Sequence, residues 1–294
     1  MKFLTGELVT RASYDHDLLF RIKSITDQYA IIQGVDMRLE ADAPIDDLHR
    51  VEDKELENRE ADQKQKEAFS YRLFRQDYQL MEEVRRYDVT DGYEKDVTYF
   101  HMPAKVLHLD GDQIYLRKCI HLYKQLGLQV HGMHLGEKDM PHEVGDLITR
   151  IQPDIVVITG HDAYLKNKGE KKTLRAYRNS MYFAETVRAV REIKPNVDQL
   201  VIFAGACQSH FESLIRAGAN FASSPARINI HALDPVYTVA KIAYTSFMEK
   251  VNLRDVLRNT FTGEKGMGGI ETKGLHRIGM PYIHDDEEEV EDSD

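Results

Sequence analysis

Two apolar runs in the second half of the chain decide how the sequence is interpreted. The first reads IVVITGH over residues 155–161, and the second reads LVIFAGAC over residues 200–207. Each run has the character of a buried strand, and each ends in a residue that can take part in covalent chemistry. In open α/β sheets, ligands bind beyond the carboxyl ends of the strands, so we expect His161 and Cys207 to share one crevice. The pattern indicates nucleophilic catalysis by a thiol.

The order of these two residues adds to that interpretation. A thiol with an ordinary pKa near 8.5 is mostly protonated at neutral pH, and a neighbouring imidazole can accept its proton. A strand ending in His, followed at some distance by a strand ending in Ala-Cys, resembles the cysteine peptidases of the caspase, legumain, clostripain and gingipain type. Those families usually place Gly after the His, whereas this chain has Asp162. The resemblance implies an oxyanion hole made by the backbone amides of Asp162 and Cys207.

Longer motifs carry a more specific resemblance. They read ITGHDAY at 158–164, AGACQSHF at 204–211, RAGANFASSP at 216–225 and NIHALDP at 229–235. With these motifs the chain resembles the YabG family of sporulation-specific proteases, from GELVTR at 6–11 to GEKGMGG at 263–269. The resemblance implies a cysteine endopeptidase that cleaves spore coat and related proteins after basic residues. It also implies synthesis in the cytoplasm of the sporulating mother cell and a later location in the spore coat.

Composition and periodicity divide the chain into four predicted parts. Short alternating runs over residues 1–50 predict a small SH3-like β-barrel module, and the Glu-, Lys-, Arg- and Gln-rich residues 51–101 predict a charged helical connector. Strands that alternate with helices over residues 102–283 predict an α/β peptidase domain, a caspase-like sandwich around a parallel sheet. Residues 284–294 are predicted to be an acidic, disordered tail.

Charge and cysteine usage exclude several classes of function. The net charge is −10, and the acidic tail supplies eight of these charges, which leaves a nearly neutral body and no electrostatic argument for a nucleic-acid partner. The sequence has no apolar run of about 18 residues and no secretory signal, so we expect no membrane association. Two cysteines do not make a disulfide framework. Acyl transfer to a thiol needs no metal or organic cofactor, and the histidines lack a compact metal-ligand pattern.

Other residues compete for the catalytic roles. His231, with Asp234 three residues later, offers the order of an amidotransferase-like hydrolase. His210 lies three residues after Cys207, and we expect it to cap or pack rather than act as the base. Cys119 lies inside a predicted helix, where it reads as part of the core. The remaining candidates are predicted to be structural or surface residues: His108, His131 and His134.

Two further predictions concern substrates. Asp110 and Asp112 follow the first predicted strand of the peptidase domain and are candidates for binding a substrate Arg or Lys. An N-cap role for Asp112 is equally compatible with the sequence. The segment 222–229 is a second candidate for the specificity pocket. Lys265, in a glycine-rich stretch predicted to be a flexible lid or processing loop, and Arg277 are candidate positions for self-cleavage.

One alternative belongs to a different functional class. Asp162 departs from the Gly expected after the histidine, and a degenerate active site would leave the chain as a non-catalytic spore-coat scaffold. Labelling of one cysteine by a thiol-reactive peptide that ends in Arg separates this alternative from an active peptidase.

Overall fold

The protein is described by a computed structural model that covers residues 3–90 and 100–279 of the 294-residue chain. It is a mixed α/β structure with a five-stranded antiparallel sheet, a six-stranded, mostly parallel sheet and a pair of short strands. The predicted acidic tail at 284–294 and residues 91–99 of the predicted connector lie outside the described residues.

The N-terminal sheet is built from residues 8–50. Its strands are β1 (Leu8–Arg11), β2 (Phe20–Ile25), β3 (Tyr29–Gly34), β4 (Glu40–Pro44) and β5 (Leu48–Arg50). They lie in the order β4-β3-β2-β1-β5, and every neighbouring pair is antiparallel. Side chains at alternate positions, such as Phe20, Ile22 and Ile32, form its buried core. The sequence predicts the first three strands, because apolar and polar residues alternate along a strand of a half-buried sheet.

A long helix follows the N-terminal sheet. Helix α1 (Asp53–Thr90) matches the predicted charged helix, and most of its side chains are exposed. It is more than a connector, since Phe74 is buried and its ring lies 6.0 Å from Tyr237 and 6.4 Å from Tyr244. Among residues 3–90 and 100–279, no helix has both the length and the apolar character needed to cross a membrane.

The remaining elements alternate along the chain. The strands are β6 (Phe100–Met102), β7 (Val106–Asp110), β8 (Val130–His134), β9 (Ile155–Thr159), β10 (Val201–Ala204), β11 (Phe221–Ser223), β12 (Met267–Gly269) and β13 (Arg277–Gly279). The helices are α2 (Gln113–Gln125), α3 (Met140–Ile151), α4 (Ser180–Ile193), α5 (Phe211–Ala217), α6 (Asp234–Tyr244), α7 (Leu253–Arg258) and α8 (Gly263–Gly266). The predicted strand-helix alternation is confirmed up to β10.

The large sheet has helices on both faces. Its order is β12-β11-β10-β9-β7-β8, and only β12 is antiparallel to its neighbour. Ile155 and Val157 of β9 pack with α2 and α6, whereas Val156 and Ile158 pack with α3 and α4. A strand buried on both faces has no polar side, and this is why β9 and β10 read as continuous apolar runs.

Helix α6 begins at Asp234, because Pro235 is compatible with the first helical turn, and it ends at Tyr244, because Thr245 is extended. One sequence prediction in the C-terminal region is wrong. The glycine-rich stretch expected to be a flexible lid forms α8 and the edge strand β12. A Cβ on Gly269 would lie 2.4 Å from the Asn220 carbonyl oxygen, so glycine there permits close strand approach.

Candidate active site

The parallel pairing of β9 and β10 brings His161 and Cys207 to one edge of the sheet. Ala204 pairs with Ile158, and the Gly205 N–H continues the register by donating to the Ile158 carbonyl at 2.9 Å. Cys207 and His161 each lie three residues beyond that paired position. Both side chains are buried. The structure therefore places the two predicted catalytic residues at the carboxyl ends of adjacent strands.

The Cys207 thiol is enclosed. Its Sγ accepts a hydrogen bond from the Ile230 N–H at 3.2 Å and donates to the Ile230 carbonyl at 3.5 Å. Its apolar neighbours belong to the core of the N-terminal sheet, which includes Val9 and Phe20. Burial raises the pKa of the Cys207 thiol well above its usual range. The resting residue is a protonated thiol.

The His161 ring lies among polar side chains. Its Nε2 is 3.4 Å from Asp112 Oδ2, and its Nδ1 is 3.4 Å from the Gln33 amide nitrogen and 3.9 Å from Glu137 Oε1. Within the described part of the chain, Nε2 has no hydrogen bond of acceptable geometry. Burial lowers the pKa of His161, and this effect exceeds the opposite effect of Asp112 and Glu137. A neutral imidazole can accept a proton from a thiol.

The side chain of Asp162 explains how the chain accommodates an aspartate after the histidine. Its carboxylate accepts hydrogen bonds from the Asn179 N–H at 2.8 Å, the Ser209 hydroxyl at 2.9 Å and the Ser180 hydroxyl. These bonds join the loop after β9 to the start of α4 and to the turn after Cys207. Burial raises the pKa of Asp162 to about 6 in spite of these bonds. The carboxylate is held by this network, and the backbone N–H remains available for another acceptor.

That acceptor is the backbone of Arg38. The Arg38 carbonyl oxygen accepts from the Cys207 N–H at 3.2 Å and from the Asp162 N–H at 3.4 Å. These are the two amides that the sequence predicts for an oxyanion hole. Two converging N–H groups on one carbonyl oxygen polarise that carbonyl and can stabilise a negative charge on it.

The residues around Arg38 form a tight turn between β3 and β4, in which the Leu39 N–H donates to the Met37 carbonyl at 2.7 Å, and we call Asp36–Leu39 the plug segment. The Arg38 N–H donates to the Ile230 carbonyl at 3.2 Å, and the Ala232 N–H donates to the Asp36 carbonyl at 2.8 Å. Met37 thereby forms an antiparallel bridge with His231, and Leu39 forms a parallel bridge with Asp162. The plug segment therefore lies between the loop after β9 and residues 230–232.

The Arg38 side chain fills a closed pocket beside the sheet. Its Nη1 is 2.8 Å from Asp110 Oδ2, and its Nε and Nη2 donate to the Ala232 carbonyl at 3.2 and 3.0 Å. Nη2 also lies 3.4 Å from Cys119 Sγ, and the Tyr115 ring centroid is 5.1 Å from the guanidinium carbon. Both charged side chains have 0% exposure.

The ion pair between Arg38 and Asp110 keeps both side chains charged inside this pocket. Burial by itself would raise the pKa of Asp110, but Arg38 and His108 hold the pKa of that carboxyl well below its usual range. Burial also disfavours the charged form of Arg38, and Asp110 reverses that effect, so the pKa of Arg38 is raised. A buried charge is tolerated only where a partner and hydrogen bonds compensate it. The pocket is therefore suited to a guanidinium group.

The two predicted substrate-binding carboxylates have different locations. Asp110 reaches the Arg38 guanidinium, whereas Asp112 caps α2 by accepting from the N–H groups of Ile114 at 2.6 Å and Tyr115 at 3.0 Å. Asp112 also lies beside His161, as described above. The predicted pocket segment 222–229 ends just before the backbone that contacts the plug segment, which is residues 230–232.

The competing histidines make other contacts. The His231 ring stacks on Phe261 at 3.9 Å, accepts from the Leu233 N–H at 3.2 Å through Nδ1, and hydrogen bonds to Gln63 through Nε2. Asp234 accepts from the His231 backbone N–H rather than from its ring. Burial lowers the pKa of His231 to about 3. The His231 ring is thus held by α1 and Phe261.

His210 and Cys119 have the structural roles that the sequence predicts for them. His210 caps α5, because its Nδ1 accepts from the Ser213 N–H at 3.3 Å. Cys119 is buried in α2, and burial raises its pKa to about 12. His108, Asp110 and Cys119 each offer a ligand atom within 4.8 Å of the others, but the Arg38 guanidinium contacts two of the three. The cation beside these three residues is therefore the guanidinium of the chain's own Arg38.

Sequence reasoning missed several residues of the site. Arg38, Tyr115 and Gln33 carry no motif, and nothing in the local sequence connects the N-terminal sheet with the strand ends. Ile230 and Ala232 lie inside the NIHALDP motif at 229–235, in which the sequence indicates roles only for His231 and Asp234. That motif was the only available signal, because its contribution to the site is made by backbone atoms.

Comparisons with known proteins identify the family of the chain. The family model described as YabG peptidase U57 matches residues 4–281. The Sporulation-specific protease YabG of Bacillus subtilis (strain 168) is 54% identical over 287 residues, which cover 96% of this chain and 99% of that protein. The match includes the N-terminal sheet as well as the strand ends with His161 and Cys207. The chain therefore belongs to the YabG peptidase U57 family.

Proposed function

We propose that the chain is a cysteine endopeptidase that cleaves proteins after basic residues, with Cys207 as nucleophile and His161 as general base and acid. One observation carries the proposal. An arginine is bound with its carbonyl on the amides of Cys207 and Asp162 and with its guanidinium on Asp110. A substrate arginine needs these same contacts for cleavage of the bond that follows it.

The proposed reaction begins with proton transfer from the Cys207 thiol to His161. Sγ attacks the carbonyl carbon, and the oxygen becomes an oxyanion held by the N–H groups of Cys207 and Asp162. His161 then donates the proton to the departing amine, which leaves an acyl thioester on Cys207. Water hydrolyses the thioester and restores the thiol. The raised pKa of Cys207 and the lowered pKa of His161 support a neutral thiol-imidazole pair at the start.

The pocket supports a preference for arginine over lysine. Arg38 uses three nitrogens, one on Asp110 and two on the Ala232 carbonyl. Lysine has one terminal nitrogen and cannot make this set of bonds from one position. Asp110 favours a positively charged side chain. The Ala232 carbonyl favours a planar guanidinium, because it accepts from two of its nitrogens.

The proposed context is sporulation. The 54% identical relative is called a sporulation-specific protease, and we propose that this chain likewise processes spore coat and related proteins in the mother cell and then in the coat. We further propose that its large sheet and helices form a caspase-like sandwich, and that residues 1–50 form an SH3-like barrel. The helices on both faces of the sheet and the five antiparallel strands support these assignments.

A thiol-reactive peptide ketone that ends in Arg tests the proposal. We expect it to label Cys207 and not Cys119 in the full-length protein, as located by peptide mass spectrometry. A matched peptide ending in Gln, which has no charge for Asp110, should label at least about tenfold more slowly. Labelling of Cys119, or equal labelling by both peptides, contradicts the assignment.

A non-catalytic coat scaffold is the second candidate. The observation that favours it is the complete burial of the Cys207 thiol beneath the N-terminal sheet. A scaffold would keep this thiol unreactive toward the Arg ketone under native conditions and would cleave no Arg peptide. Labelling of Cys207 together with peptide hydrolysis excludes it.

A further inference from the structure

His161 places its two ring nitrogens against different parts of the molecule. Nδ1 lies 3.4 Å from the amide nitrogen of Gln33 in β3, and the Cys207 thiol packs in the core of the same N-terminal sheet. Nε2 instead lies 3.4 Å from Asp112 Oδ2, at the start of α2. Nδ1 is therefore the nitrogen on the side of the thiol, and Nε2 is the nitrogen on the side of α2.

Nε2 of His161 is a buried nitrogen that needs a partner. The residue is 1% exposed, and among residues 3–90 and 100–279 no group makes a hydrogen bond of acceptable geometry with Nε2. Buried polar atoms usually have a partner, because an unpaired one is costly. Asp112 Oδ2 would reach bonding distance after a shift of about 0.5 Å. Catalytic hydrogen bonds are often long in a resting enzyme and shorten when the substrate is bound.

The carboxylate of Asp112 is held in a fixed place. Its Oδ1 accepts from the N–H groups of Ile114 at 2.6 Å and Tyr115 at 3.0 Å, so the helix cap uses one oxygen and the other oxygen lies beside His161. The Asp112 N–H donates to Asp110 Oδ1 at 2.9 Å. The Tyr115 ring lies 5.3 Å from the His161 ring. The first turn of α2 thus presents both a carboxylate and an aromatic ring to the histidine.

The other carboxylates near His161 are placed differently. Glu137, in the loop after β8, accepts from the His161 backbone N–H at 2.9 Å, and its Oε1 is 3.9 Å from Nδ1. Glu40 in β4 and Asp110 in β7 raise the pKa of His161 through their charges. Glu137 therefore holds the backbone of the histidine, whereas Asp112 faces the ring at Nε2.

We propose that Asp112 is the positioning residue of the catalytic histidine: its Oδ2 accepts the hydrogen on Nε2 and thereby keeps Nδ1 as the nitrogen that receives the thiol proton. This inference rests on the proposed function, because it assigns a partner to the same base. The sequence offers Asp112 as a ligand for a substrate side chain or as an N-cap. Its two oxygens allow it to cap α2 and to hold His161 at the same time.

The proton transfers balance with Asp112 ionised throughout. The proton of the Cys207 thiol passes to Nδ1 of His161 while Sγ bonds to the substrate carbonyl carbon, and the imidazolium is stabilised by the carboxylate at Nε2. The same proton then passes from Nδ1 to the nitrogen of the departing amine as the bond to the carbonyl carbon breaks. The hydrogen on Nε2 stays in place through both transfers.

Asp112→Asn in the full-length protein is the first test. Asparagine keeps an oxygen for the helix cap, but its amide can turn an N–H group toward Nε2. Nε2 would then accept a hydrogen bond, and Nδ1 would carry the hydrogen, which is the wrong tautomer for a base. We expect kcat for an Arg peptide to fall at least about tenfold, with KM nearly unchanged and with the same fall for a Gln peptide.

The pH profile separates positioning from capping. The Asp112 carboxylate raises the pKa of His161, so its removal should lower that pKa further. The acidic limb of kcat/KM should therefore move to lower pH in Asp112→Asn and in Asp112→Ser, and both replacements are good N-cap residues. Loss of a helix cap alone would lower the melting temperature and leave this limb in place.

Two matched variants accompany the test. Glu143, in the first turn of α3, is exposed, and Glu143→Gln should leave kcat unchanged within about twofold. Glu137→Gln keeps an oxygen for the His161 backbone N–H, so it should cost less kcat than Asp112→Asn. Labelling with ¹⁵N-histidine adds a readout apart from turnover: we expect the natural protein to carry the His161 hydrogen on Nε2, and Asp112→Asn to carry it on Nδ1.

The outcomes distinguish this inference from the proposed function. If the natural protein hydrolyses the Arg peptide and both Asp112 variants keep its kcat and its acidic limb, the positioning role is wrong and the peptidase assignment stands. A larger fall in kcat for Glu137→Gln than for Asp112→Asn would also overturn it. If the natural protein neither cleaves the peptide nor reacts with the Arg ketone at Cys207, the proposed function fails and this inference fails with it.

Discussion

The dipeptide Arg-Leu occurs twice in the described chain, in two very different settings. At Arg38–Leu39 it lies in a tight turn, with a buried guanidinium and a carbonyl held by two amides. At Arg72–Leu73 it lies in the middle of α1, and the Arg72 side chain is exposed. A carbonyl in an α-helix accepts from the N–H four residues later, so it is not available to an oxyanion hole.

The difference teaches where the specificity of a peptidase of this kind lies. The dipeptide is the same in both places, so residue type cannot distinguish them. Backbone conformation and access to the carbonyl distinguish them completely. We therefore expect exposed, extended arginines to be good substrates and helical arginines to be poor ones. The following predictions test this contrast, starting with the largest effect.

Removal of the nucleophile should have the largest effect. Cys207→Ala should abolish cleavage of an external Arg peptide, because no thioester can form. The fold should persist, since the change removes one sulfur and little volume. Hydrolysis of a fluorogenic Arg peptide measures the loss, and Cys119→Ala is the control, which should retain most activity. Residual proteolysis by Cys207→Ala would show that the mechanism is wrong.

Removal of the base should be the next largest effect. His161→Ala should lower kcat by about 10²- to 10⁴-fold, which is the usual contribution of general acid-base catalysis. His231→Ala should cost much less, because its ring contacts Gln63 and Phe261. Steady-state kinetics on one Arg peptide compares the two variants. The opposite ranking would favour the amidotransferase-like arrangement.

Loss of the Asp110 charge should slow cleavage after arginine selectively. Asp110→Asn should raise the activation barrier for an Arg peptide by a few kcal/mol, because a buried guanidinium loses its counter-charge. The value of kcat/KM should therefore fall about 30-fold or more. A peptide with Gln at the same position should be affected much less. Asp112→Asn is the matched variant, which should not change the ratio of Arg to Gln cleavage, since Asp112 caps α2. An equal loss for both peptides would indicate damage to the fold.

The pH dependence should be the smallest and most specific effect. Burial lowers the pKa of His161 below its ordinary value of 6.5, so the neutral imidazole persists to lower pH than in a free histidine. Activity should therefore be lost only as the pH falls below 6.5, when His161 becomes protonated. The pH profile of kcat/KM for the Arg peptide measures this limb. An acidic limb centred above pH 7 would contradict a buried, neutral base.

Much of the fold was accessible from sequence, but the site was accessible only in part. The apolar runs before His161 and Cys207 predicted adjacent strands, since a strand buried on both faces must be continuously apolar. The N-terminal sheet was also visible, through its alternation. Strands β11 and β12 were missed, because a strand of three residues leaves too short a pattern.

Sequence alone determined the candidates for chemistry: a thiol at Cys207, an imidazole at His161 or His231, and carboxylates at Asp110 and Asp112. These follow from local patterns, because a strand's length and period fix where its last residue emerges. Only the tertiary structure decided that Arg38, distant in sequence, fills the Asp110 pocket and places its carbonyl on the Cys207 and Asp162 amides. The carbonyl contact joins backbone atoms of loops that are distant in sequence, and backbone atoms leave no residue-type signal in a sequence.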